Sequence, residues 1–331
     1  MRFFILGLVL GILGCPGKHT SYQSISHPRD MRVGLILAEV GDRTLRLVDS
    51  FSREIGSHTQ NIFIETGLNN TDVQVKKIRE MLDKKVNILI VNPVTETGLS
   101  DVVALARASG VRVMSYGKMV HKADLEYWVT PNYFDIGMAQ AEEASSQIKG
   151  KGRILVLMAD GSPLVGGEIQ RGIVSVLGGR SDLDADFKLI EADDQILKFL
   201  EEGWKAEKGY QGILTSEDRV ALKALEFLRA RKLNGKVFLS AGGGGELSVL
   251  REIVQGNIHM AVYVNERDLG STLASVAYYL VSHQAPKPDF FPHNGLKAVS
   301  TIRSRVLKLT KKNIKAVIVE RGIYPRSAVY Y

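Results

Sequence analysis

The residues of this 331-residue chain that could do chemistry fall into few groups. Glu217 and Asp218 are adjacent carboxylates at the start of a helix-like run. Such pairs complement the helix dipole or contact a ligand more readily than they act as an acid–base couple. Four consecutive glycines, Gly242 to Gly245, stand between a strand-like and a helix-like segment. That order suits main-chain N–H groups facing a phosphate. No Lys-Ser/Thr follows, however, and no G-x-x-x-x-G-K-[ST] occurs anywhere. A ligand loop stripped of its side chains and a plain structural turn remain as the other readings of these glycines. His58 and His259 have no ligand-spaced partners, so no metal site is expected. No nucleophile, base and acid can be assembled into one set. The chain reads as a non-enzyme without a cofactor.

The N-terminus carries a different chemistry. "MRFFILGLVLGILGC" has one positive charge, an uninterrupted apolar run, and then Gly14-Cys15. The run is too short for a permanent membrane span and reads as a signal-peptide core. Cys15 is the only cysteine, so no internal disulfide can form. "ILGC" resembles a bacterial lipobox, which makes Cys15 the expected lipidation site and residues 1–15 the signal. Residues 16–31 are polar and suit a tether. The net charge of +7 is spread along the chain. There is no helix-turn-helix pattern, zinc spacing or RNA-binding aromatic signature, so nucleic acid is not an expected partner.

The elements that must hold these residues alternate regularly from Met31 onward. "MRVGLILAEV", "NIFIETG", "VNILIVNPV" and "VRVMSYG" read as strands. "RTLRLVDSFSREIG", "DVQVKKIREMLDKK" and "LSDVVALARASG" between them have helical spacing. The rhythm then restarts and runs through "GRILVLMA", "FKLIEA", "YQGILTS", "KVFLSA" and "IHMAVYV". Strand–helix alternation implies right-handed βαβ units and parallel sheets. There are about twice the units that one doubly wound domain needs, so two α/β lobes are expected. Ligands of such sheets bind beyond the carboxyl ends of the strands, here in the cleft between the lobes. Trp128 and Tyr127 alternate along a strand and read as core, whereas Tyr133 is the aromatic candidate for the cleft.

The order of elements resembles the type I periplasmic binding proteins, and among them the xylose- and ribose-type sugar-binding lipoproteins of ABC importers. The likeness is carried by "VNILIVNPVTETGLSDVVALARASGVRVMSYGKM", "ADLEYWVTPNYFDIG", "DGSPLVGGEIQRG" and "HNGLKAVSTIRSRVLKLTKKNIKAVIVERGIY". It implies three crossings between the lobes. The first lobe would be 32–133 plus 266–295, and the second 134–265 plus 296–331. It also implies cleft closure on a small solute (a sugar or related polyol), delivery to an ABC permease, and a lipid-anchored monomer outside the cytoplasm.

The resemblance places Arg43, Asn92, Lys118, Asn132, Tyr133, Glu217 and Asp218 in the ligand cleft. Several of its polar positions are altered. Relatives usually carry Asp-Arg where this chain has Gly117-Lys118, and Lys cannot reproduce the Arg fork. Asp-Asn has become Asn132-Tyr133, Asn-Asp has become Glu217-Asp218, and a Lys has become Val264. The aromatic after the first-loop Arg is Thr44. A polar loop whose Asp faces the sugar corresponds to Gly242–Gly245. These departures leave a second expectation beside transport: a signalling or interaction lipoprotein that kept the scaffold and lost sugar binding.

Overall fold

The computed structural model describes residues 25, 27–159, 161–205, 209–282, 284 and 286–330. The signal, Cys15 and most of the tether lie outside the described residues.

The chain forms two six-stranded sheets. The first contains β1 (Val33–Leu37), β2 (Ile62–Thr66), β3 (Ile88–Val91), β4 (Arg112–Tyr116), β5 (Tyr127–Pro131) and β11 (Ser300–Ser304), in the order β11-β5-β4-β3-β1-β2. Every pairing in it is parallel. The second contains β6 (Gly152–Met158), β7 (Leu183–Leu189), β8 (Gly212–Thr215), β9 (Phe238–Ala241), β10 (Met260–Val264) and β12 (Val306–Thr310), in the order β12-β10-β9-β8-β6-β7. Only the β10–β12 pair is antiparallel. Both arrangements are doubly wound α/β folds, as the alternation of patterns requires.

Helices α1 (Asp42–Gly56), α2 (Thr71–Asp83), α3 (Ser100–Ala108) and α9 (Glu266–Ser282) flank the first sheet. Helices α4 (Tyr133–Gln147), α5 (Gly166–Leu177), α6 (Asp193–Lys205), α7 (Asp218–Ala230), α8 (Leu247–Gln255) and the short α10 (Arg326–Val329) belong to the second. Because helices cover both faces, β1, β3, β8, β9 and β10 are buried along their whole length. Trp128 is 1% exposed and is core, as its alternation with Tyr127 suggests.

Two helix pairs are brought unusually close by glycine. A Cβ at Gly137 of α4 would fall on the Ile169 carbonyl of α5, and one at Gly172 of α5 on the Phe134 carbonyl of α4. Gly270 of α9 meets the Leu47 carbonyl of α1 in the same way. In each lobe, then, a helix entered from a crossing lies at main-chain distance against the helix that follows the lobe's first strand, α1 after β1 and α5 after β6.

The chain passes between the lobes three times, and the three passages lie side by side. The first runs from β5 into α4, the second from β10 into α9, the third from β11 into β12. Ser304 pairs with Pro131 and Val306 with Val264. The Asn132 N–H donates to the Ser304 carbonyl at 3.0 Å. The expected second lobe began its last segment at residue 296. Instead Ser300–Ser304 joins the first sheet beside β5, so the third passage is Arg305 alone. "STIRS" carries alternating polar residues suited to a sheet edge. Nothing in that pattern tells which of two sheets owns the edge.

Candidate functional site

A cavity of about 890 Å³ opens between the carboxyl ends of the two sheets. The first lobe builds most of its wall, through the loops after β1, β2, β3 and β4. The second lobe contributes Glu217 and Arg219, from the loop after β8 and the start of α7. Pro131, Tyr133, Val264 and Glu266 line it beside the crossings.

Of the expected site residues, Arg43, Asn92, Lys118, Tyr133 and Glu217 line this cavity. Lys118 is exposed and donates through Nζ to the Val94 carbonyl at 3.2 Å. Asn92 donates through Nδ2 to the Tyr116 carbonyl at 3.3 Å. Gly117 is in the left-handed region at φ +66, and a Cβ there would come within 2.7 Å of Asn92 Nδ2. Its carbonyl accepts from Trp128 Nε1 at 2.9 Å. Gly117 is therefore required where it stands, to let the Asn92 amide lie across the main chain. Beneath this wall Gln74 is fully buried. It donates to the Asn92 carbonyl at 2.6 Å and accepts the Val94 N–H at 3.0 Å, which fixes the loop after β3. Tyr133 packs against apolar clusters of both lobes.

Asn132 and Asp218 are turned to other work. The Asn132 carboxamide oxygen accepts the Asp135 N–H at 3.4 Å and caps α4. Asp218 is 3% exposed. Its carboxylate accepts the N–H groups of Gly243, at 3.2 Å, and Glu246, at 2.6 Å. Burial pushes its pKa up, further than those bonds and Arg43 pull it down.

The four glycines are accounted for by what surrounds them. A Cβ at Gly242 would lie 2.7 Å from the Thr215 carbonyl, and one at Gly243 would fall on the main chain at Asp218. Gly244 has φ +117 and Gly245 φ +81, both unfavourable for other residues. The Gly243 and Glu246 N–H groups are bound to Asp218, and that of Gly244 donates to the Val262 carbonyl at 3.1 Å. N–H groups committed in this way cannot cradle a phosphate.

Sequence reasoning missed Glu266. Its side chain is 5% exposed and accepts from Arg43 Nε. Arg46 Nε lies 3.8 Å from its other oxygen, to which the Tyr263 hydroxyl donates at 3.3 Å. Burial works against the Arg43 charge, but Glu266 together with Asp218 and Glu246 outweighs it and holds the guanidinium above its ordinary value. The signal was a carboxylate two residues after Val264, at a strand's carboxyl end where the chain changes lobes. Arg219, also missed, pairs with Asp193 and lies 3.4 Å from Glu217. Among the described residues no group of three or more His, Cys, Asp or Glu could hold a metal ion. Nor is any described helix long and apolar enough to cross a membrane.

The chain is similar to known proteins over most of its length. Residues 48–285 match the family described as periplasmic binding protein domain. The D-xylose-binding periplasmic protein of Haemophilus influenzae is 25% identical, over 97% of this chain and 98% of that protein. The protein of the same name from Escherichia coli is 26% identical, over 91% and 93%. Among solved structures, an ABC transporter solute-binding protein from Clostridium phytofermentans with bound β-D-glucose gives a TM-score of 0.76 at 16% identity, covering 90% of this chain and 99% of that one. A carbohydrate transporter solute-binding protein from Chloroflexus aurantiacus in complex with D-glucose gives 0.72 at 22%, covering 90% and 98%. Two sheets with this order and three adjacent passages, together with a family match over well more than half its length, make this chain a member of the periplasmic binding protein family.

Proposed function

We propose that this protein is the solute-binding component of a sugar-type ABC importer, anchored outside the cytoplasm by lipid on Cys15. It works as a monomer whose two lobes close on a sugar or related polyol and present it to a permease. The observation that carries this reading is the cavity between the lobes, walled by polar side chains from both and set beside the three passages. Two relatives named for D-xylose binding and solved neighbours holding D-glucose support the ligand class. Arg43, Asn92, Lys118, Tyr133 and Glu217 are the proposed contacts, with Arg219 and Glu39 added from the cavity wall. Asn132 and Asp218 support the site from beneath. Binding and closure suffice for this role, and no bond in the solute is broken.

Calorimetry with pentoses, hexoses and polyols tests the reading. One of them is expected to bind, and Lys118→Ala to weaken it by roughly tenfold to a hundredfold, the worth of one charge-assisted bond. Failure of the whole panel would overturn the sugar reading. The anchor is tested separately: fatty-acid labelling in cells should be lost in Cys15→Ala. The second reading, an interaction lipoprotein without solute, is favoured by the thin contribution of the second lobe. Its glycine loop offers no side chain, and Arg43 is already engaged by Glu266 and Gly243. That reading expects a protein partner in pull-downs and no solute that raises Tm.

A further inference from the structure

Arg43 joins the two lobes by direct contact. It stands on α1 of the first lobe and donates through Nε to Glu266 at the start of α9. Through Nη1 it donates to the Gly243 carbonyl of the second lobe, in the loop between β9 and α8, at 2.7 Å. Both ends of this bridge are held firmly. Glu266 is buried and takes a second bond from Tyr263. Gly243 is fixed through its own N–H by the buried Asp218. A Cβ at Gly244 would fall on the guanidinium itself, so the loop can slide beneath Arg43 only if that residue is glycine. A Cβ at Gly243 would strike the start of α7. The glycine run thus has a use that none of the sequence readings supplied: it lets main chain approach an arginine from the opposite lobe.

We propose that Arg43 and the Gly242–Gly245 loop form an interlobe clasp that biases the lobes toward closure before solute is bound. A charge-assisted bond from a half-buried guanidinium to a main-chain carbonyl is enough to shift a two-state equilibrium by roughly tenfold to a hundredfold. Closure is then set partly by the protein and only completed by solute. This inference concerns the empty protein and does not rest on which solute binds.

Small-angle X-ray scattering on the whole protein tests it, after unfolding in guanidinium and refolding to strip any carried-over solute. The wild type is expected to be more compact than the clasp variants. Arg43→Ala and Gly244→Ala should increase the radius of gyration. Arg43→Lys should do so as well, since a single ammonium cannot span Glu266 and the Gly243 carbonyl together. Gly150→Ala is the control for strain alone, because Gly150 has φ +77 and nothing near its Cβ position; it should stay as compact as the wild type. Arg43→Lys keeps the charge and serves if Arg43→Ala does not fold. Variants as compact as the wild type, or a Gly150→Ala as expanded as Gly244→Ala, would each overturn the clasp. Failure of every sugar in calorimetry would leave it untouched, so the two readings fail separately.

Discussion

Replacing Asp218 by Ala is the sharpest probe of how the second lobe builds its side of the cleft. The substitution removes a carboxylate that is 3% exposed and orphans two main-chain donors, at Gly243 and Glu246. Removing a bond to an ionised acceptor costs about 1.5–3 kcal/mol. The 3.2 Å bond to Gly243 belongs near the lower end, the 2.6 Å bond to Glu246 nearer the upper. Against this, burial disfavours the charge and raises the Asp218 pKa, so removing it relieves part of a desolvation penalty. The balance is a loss of about 2–4 kcal/mol. With a urea slope near 3 kcal/mol/M for a chain of this size, the midpoint should fall by about 0.7–1.3 M. The chain has two tryptophans, and each lobe holds one. Trp128 is buried in the first lobe, while Trp204 packs edge-on against Tyr210 and Phe227 in the second. Fluorescence in a Trp128→Phe background therefore reads the second lobe directly. A midpoint within about 0.2 M of the wild type would refute the idea that Asp218 clamps the loop. The pH dependence adds a sign. A raised folded pKa means that the contribution of Asp218 is fully present below its unfolded value and declines as pH rises through the folded one. The gap between wild type and Asp218→Ala should widen as pH falls from 8 toward about 4.

Two further outcomes follow from packing and burial. Gly137→Ala must push α4 from the Ile169 carbonyl of α5 and should lower stability by about 1–3 kcal/mol or more, read as a drop in Tm. His259 accepts the Leu239 N–H on Nδ1 at 3.2 Å, and burial lowers its pKa despite Glu143 nearby. Its contribution is present above the unfolded value of about 6.5 and lost as pH falls through the depressed one. His259→Gln should flatten the fall in urea midpoint between pH 7 and 5; an unchanged slope would count against this.

The fold was largely legible because its signals are local. Buried strands such as "VNILIV" and amphipathic helices such as α1 announce themselves by period, and their alternation dictates parallel sheets. The assignment of β11 was not legible, since an edge strand pairs on one side and its owner is a tertiary matter. The cavity wall was partly legible. Arg43, Lys118 and Glu217 sit at strand ends or helix starts, where a doubly wound sheet gathers its loops. Asn132 and Asp218 misled because the same short polar groups suit a ligand, a helix cap and a loop clamp. Only the direction of the side chain separates these roles. The glycines misled in the opposite sense. Four residues without side chains suggested something lost, whereas their neighbours show the space to be filled by Arg43, Asp218 and the main chain at Thr215.

The three passages restrict how the molecule can move as a mechanism. Arg305 alone separates β11 from β12, and each of those strands is hydrogen-bonded into a different sheet. One residue spans about 3.5 Å, so the lobes have almost no freedom to translate apart at that point. The Asn132–Ser304 bond and the pairing of Val264 with Val306 tie the other two passages to it. What survives is rotation about a short common axis, in bend and in twist. The glycine-packed helices make each lobe a stiff lever arm on that axis. A small angular change at Arg305 is therefore magnified into a wide excursion at the far lip of the cavity.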